Sequence, residues 1–107
     1  MANISILGIK SNRLDNRLAP DMKSQMVMLD TEEDGNLIMD LKSVTFAEFS
    51  GLGSLLMAQR LYRDNGRSLI LAGVAERVRK LLEISQLSDV FVLLNNTDAA
   101  LDHLREE

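Results

Sequence analysis

Apolar residues in this chain fall into short runs separated by polar turns, and their period changes from run to run. Ile4 and Ile6 flank Ser5 ahead of Gly8, the two-residue period of a strand. Being short and terminal, this predicts an edge strand. Residues 10–17 are polar and read as a loop, with a brief strand around Arg13 and Leu14. Pro20 before Asp21 fits a first helical turn, and Met22, Met26 and Leu29 then recur at i, i+4 and i+7, a helical stripe. The acidic run 30–35 ends that helix in a surface turn.

The second half is more regular. Residues 37–41 form a nearly continuous apolar run broken by Asp40, which suits a strand covered on both faces. Val44, Thr45 and Phe46 extend it. A wide apolar arc of Leu52, Leu55, Leu56, Met57, Leu61 and Tyr62 predicts a helix from about Gly51 to Asp64, stopped by Asn65 and Gly66. Residues 68–72 are the next strand, and Gly73 opens a turn. Val78, Leu81 and Leu82 mark a helix that ends near Ser85 and Gln86, with Glu76 and Lys80 as an outer i, i+4 pair. Residues 90–94 are the last strand. Thr97 is the expected cap of a final helix whose inner face is Ala100, Leu101 and Leu104.

Strand and helix therefore alternate four times. That order predicts an α/β fold with a mainly parallel sheet and right-handed crossovers. With 107 residues and no linker or repeat, one domain spanning 1–107 is expected.

Composition narrows the function more than the fold. Aromatic residues are 4% and methionines number six, so aliphatic and methionine side chains must fill the core. The net charge of −4 argues against broad nucleic-acid binding, which needs a basic face. Cysteine is absent, so disulfides, thiol catalysis and cysteine-bound metals are excluded. His103 is the single histidine, and with no second one no metal set is expected. No basic region precedes a long apolar run at the start, so no signal peptide is expected. No run approaches the ~20 residues of a membrane helix. A cytoplasmic protein without cofactors is the expectation.

The join between the run at 37–46 and the helix after it carries the candidate chemistry. Ser50 stands just before Gly51, Leu52 and Gly53. A serine where a strand gives way to a helix lies beside the unpaired N–H groups of the first turn. It is either a helix cap or an exposed hydroxyl open to modification. Catalysis has less support: there is no Gly-x-Ser-x-Gly elbow and no P-loop ending. Asp40 reads as a backbone-bonded strand residue, Glu48 as an acid complementing the helix start, and Asp15 as either a turn residue or a partner contact.

Four segments resemble one family. Arg13, Leu14 and Asp15, followed by Ala19, Pro20 and Asp21, are similar to its approach to the first helix. Residues 37–41 with Val44, Thr45 and Phe46 are similar to its central strand. Residues 48–53, Glu48 to Gly53, are similar to its Asp-Ser-Ser-Gly-Leu-Gly loop. Leu71, Ala72, Gly73 and Val74, with Val78, Leu81, Leu82, Ile84 and Leu87, are similar to its third helix and the turn beyond. On these grounds the chain resembles the STAS domain of bacterial anti-sigma-factor antagonists. The resemblance implies a single STAS domain with a four- to five-stranded, mainly parallel or mixed sheet and about four helices. It also implies a partner switch without catalysis. The serine at position 50 would take phosphate from a serine kinase of the histidine-kinase-like ATPase type that is also an anti-sigma factor. A PP2C-type phosphatase would remove it. The expected partner surface is Asp15, Glu48, Phe49, Ser50, Gly51, Leu52, Gly53 and Leu56.

Glu48 stands where the family usually has Asp, Phe49 where it has the first Ser, and Gln86 where it commonly has Gly. Phe49 is either a partner anchor or an inward prop. A docking subunit of a transporter, never phosphorylated, is the alternative reading within the same fold.

Overall fold

Parallel pairing organises every strand. In the computed structural model, residues 4–17, 20 and 35–106 are described. Among the described residues the strands are β1 (Ile4–Gly8), β2 (Arg13–Leu14), β3 (Asn36–Asp40), β4 (Phe46–Ala47), β5 (Leu69–Ala72) and β6 (Val92–Leu94). Three helices lie wholly within the described residues: α1 (Phe49–Asp64), α2 (Glu76–Ile84) and α3 (Thr97–Arg105). One sheet has the order β1-β3-β5-β6, and β2 pairs with β4 in a second. All four pairings are parallel.

The apolar runs at 37–41 and 68–72 are continuous because their strands lie mid-sheet with both faces covered. One face packs Leu37, Met39 and Leu71 against Leu52, Leu55, Ala58 and Tyr62 of α1 and Val78 and Leu82 of α2. The other packs Ile38, Ile70 and Ala72 against Ala100 and Leu104 of α3. Leu14 of β2 joins the first of these cores and is fully buried.

Several boundaries differ from the sequence expectation, each for a local reason. Residues 44–46 do not prolong β3. Asp40 Oδ1 accepts a bond from the Lys42 amide at 3.0 Å, and Val44 N–H donates to Leu41 O at 3.0 Å. This turn redirects the chain so that Phe46 pairs with Arg13 and Ala47 with Leu14. Helix α1 starts at Phe49, two residues earlier than predicted. The last strand is shorter, because Val90 donates back to Leu87 O at 3.0 Å and Phe91 turns into the core. Asn96, not Thr97, caps α3, its Oδ1 accepting from the Ala99 amide at 2.8 Å. The helix expected after Pro20 falls on Met22, Met26 and Leu29, which lie outside the described residues; Pro20 itself is helical.

Helix α2 ends as predicted at Ser85. Gln86 then takes a left-handed φ of 61°, the conformation glycine adopts freely after a helix and other residues adopt at a cost.

Candidate functional site around Ser50

The start of α1 is held by the neighbouring strand rather than by its own side chains. Glu48 N–H donates to Leu14 O at 2.9 Å, and Gly51 N–H donates to Glu48 O at 2.9 Å. Gly51 packs directly on the backbone of Leu14 and Asp15. A Cβ there would come within 3.0 Å of Leu14 C and O and of Asp15 N. Glycine is required at this position by close approach.

Glu48 is the capping residue, with extended backbone at φ −114° and ψ 159°, yet its carboxylate makes no capping bond. It turns away and accepts from Arg13 Nη2 at 3.3 Å. Both partners of this pair are about half exposed, so it contributes under about 1 kcal/mol. Ser50 is therefore not the cap. It is the second residue of α1, and its side chain is exposed. The first turn of α1 carries no acidic residue, and the carboxylate of its cap Glu48 is turned to Arg13, so the helix N-terminus can take a further negative charge.

Asp15 is buried beneath this corner and does not project from it. Arg17 holds it with Nη2 at 2.7 Å, Nε at 3.1 Å and its own amide at 3.0 Å. These hydrogen bonds from the Arg17 side chain, then from its amide, keep the Asp15 carboxyl below the usual aspartate value. Asp40, as expected, bonds backbone, and Lys42 Nζ lies 3.6 Å from it.

The remaining expected residues divide by burial. Gly51 is buried and Leu52 is a core side chain, 3% exposed. Gly53 has open space where a Cβ would stand, and Leu56 is half-buried against the core. Phe49 points out, 64% exposed, and is no inward prop. Met57, 52% exposed, and Leu61 continue the apolar surface. Ser50, Met57 and Leu61 recur at i, i+7 and i+11, and Phe49, Gly53 and Leu56 run beside them, so one face of α1 carries both rows. Met57 went unnoticed as a surface residue because a wide apolar arc hides which of its members face solvent.

A second feature lies across β4. Phe46, Ala47, Leu81 and Ile84 line an open groove of ≈ 480 Å³ together with Glu76, Arg77 and Lys80. The Phe46 ring has the Arg13 guanidinium 4.9 Å and the Arg77 guanidinium 5.9 Å from its centroid. Nothing in the linear pattern links residues so far apart in the chain.

The arrangement does not assemble a catalytic pair from Ser50 and His103, because α1 and α3 cover opposite faces of the sheet. Among the described residues no three side chains of metal-binding type come together. Among the same residues no helix is long and apolar enough to cross a membrane.

Residues 5–101 match the STAS domain family. The chain belongs to the STAS domain family. It is similar to the anti-sigma-B factor antagonist of Listeria monocytogenes, 29% identical over 85 residues, covering 79% of this chain and 75% of that one. Its fold is similar to that of a sulfate transporter family protein from Wolinella succinogenes, with TM-score 0.81, 20% identity and coverage of 95% and 84%. It is also similar to the anti-sigma factor antagonist SpoIIAA in its unphosphorylated form, with TM-score 0.78, 18% identity and coverage of 100% and 92%. The α/β STAS fold, with its four-stranded parallel sheet, is the one the sequence pattern predicts.

Proposed function

We propose that this STAS domain is an anti-sigma-factor antagonist that binds an anti-sigma factor through the exposed face of α1 and is released by phosphorylation of Ser50. The observation that carries the reading is the position of Ser50. It is exposed on the second residue of α1, at the end of an apolar strip that includes Phe49 and Met57. The relatives named as anti-sigma-B factor antagonists support the partner class.

In the proposed reaction the Ser50 hydroxyl oxygen attacks the γ-phosphorus of ATP bound to the kinase. The bond to the β-phosphate oxygen breaks, ADP leaves, and the hydroxyl proton passes to a base on the kinase. The product carries about −1.5 to −2 charges at neutral pH. The N-terminus of α1, with no acid in its first turn, accommodates that charge within the domain. An apolar partner surface lying on Phe49 and Met57 would have to desolvate it, and so lets go. A PP2C-type phosphatase resets the switch by hydrolysis.

The second reading is a transporter docking subunit that is never phosphorylated. The fold likeness to the sulfate transporter family protein favours it. One experiment separates the two: incubation with ATP and the candidate anti-sigma kinase, read by intact mass. A phosphate adduct that disappears in Ser50→Ala supports the switch. Stable partner binding with no adduct supports constitutive docking.

A further inference from the structure

We propose that the groove between β4 and α2 is a second docking surface, which takes a segment of the protein partner bearing carboxylates beside apolar side chains. This deepens the reading of the chain as a partner-binding STAS domain and rests on it. The lining is apolar and cationic, with Glu76 as its one carboxylate. Phe46, Ala47 and Leu81 are apolar, and Ile84, 74% exposed, is the most exposed large apolar side chain among the described residues. Arg77 and Lys80 are cationic.

The positive charge there is weakly answered, in a chain whose net charge is −4. Arg77 has no carboxylate within ion-pair distance among the described residues and lies instead over the Phe46 ring. Lys80 meets Glu76 only at 3.9 Å, with both side chains largely in water, a pair of little net strength. Arg13, also near the Phe46 ring, is drawn toward Glu48. A carboxylate from a partner gains an exposed cation at Arg77 without breaking an existing ion pair.

Shape selects a protein segment over a small ligand. The groove is shallow and open, whereas small-molecule sites enclose most of their ligand. Two cations beside four apolar side chains do not form the phosphate-spaced basic row that a nucleic acid requires. The groove also shares β4 with the Ser50 corner, since Phe46 and Ala47 lead directly into Glu48 and α1. A partner seated on Phe49 therefore has the groove within reach.

The test uses two probes on the full chain. The first is a fluorescein-labelled peptide of repeating Glu-Leu-Leu units, with a Lys-Leu-Leu peptide as control, read by polarisation. The acidic peptide should bind wild type. It should bind Arg77→Glu/Lys80→Glu and Ile84→Asp at least about tenfold more weakly, while the melting temperature holds, since all three side chains are exposed. Equal binding by the variants, or equal binding of the basic peptide, overturns the groove. The second probe is the anti-sigma kinase. If the groove variants bind it as wild type does while Ser50→Asp does not, the groove proposal falls and the switch reading stands. If the peptide binds the groove and no variant or wild type binds the kinase, the switch reading falls and the groove stands.

Discussion

The carbonyl of Leu14 accepts the Glu48 amide at 2.9 Å, and the backbone of the same Leu14 presses against Gly51. One residue of a two-residue strand thus fixes both the cap and the third position of α1. The exposed Ser50 lies between these two fixed points.

Gly51→Ala should therefore be costly. The added methyl meets main-chain atoms of Leu14 and Asp15, which cannot rotate aside. A loss of about 1–3 kcal/mol is expected, read as a lower urea midpoint at unchanged slope. Gly53→Ala is the control, with open space around it. It should raise stability by about 0.5–1 kcal/mol, because alanine orders into a helix more readily than glycine. Equal effects at the two positions would show that the close approach is not what matters.

Ser50→Asp should weaken binding to the anti-sigma kinase while the melting temperature stays within about 2 °C of wild type. The new charge faces solvent at a helix N-terminus, where it is tolerated. Calorimetric titration against the kinase, alongside thermal scans of each protein, checks both halves. Wild-type affinity in Ser50→Asp would remove the electrostatic basis of release.

Gln86→Gly should stabilise. A side chain at a φ of 61° carries a steric cost of about 1–2 kcal/mol, which glycine relieves while adding some freedom to the unfolded chain. The expected net gain is about 0.5–1 kcal/mol in urea unfolding. Gln86→Ala, which keeps the Cβ, should not share it.

Asp15 gives the fold an acid-sensitive anchor. Its carboxyl is held below the ordinary value by Arg17, so the folded state binds this proton less readily than the unfolded state. The contribution is present in full above about pH 4, the ordinary aspartate value, and is lost as pH falls through the lower folded value. Asp15→Asn lacks it at every pH. The gap between wild type and Asp15→Asn should be widest near neutrality and narrow in acid, as measured by urea midpoints across the range. A gap that does not change with pH would mean the pair with Arg17 adds nothing in its charged form.

The sheet was legible because its central strands are buried on both sides, and uninterrupted runs such as those around Ile38 and Ile70 have few other uses. The helix stripes at Val78 and Leu82, and at Ala100 and Leu104, were legible for the same reason of one-sided burial. The site was legible only in part. Ser50 was found, but its role as a cap was not excluded, because the true tether is an amide-to-carbonyl bond from Glu48 to Leu14, and backbone bonds leave no mark on residue type. The groove was invisible because Phe46, Arg77 and Ile84 meet only through the fold. Leu52 belonged both to the apolar arc of the expected helix and to the expected partner surface, and its place in the core follows the arc.

The Leu14 tether also bears on how the Ser50 region can be studied outside the whole protein. A synthetic peptide covering residues 46–56 would contain Phe49, Ser50 and Gly53 but not Leu14 or Asp15. A helix that short is barely populated in water, and this one takes its first turn from a strand the peptide lacks. The Ser50 epitope is conformational. Under the proposed phosphorylation of Ser50, peptide arrays will under-report it as a kinase substrate, and antibodies raised against a linear phosphopeptide will recognise the denatured chain in preference to the native one.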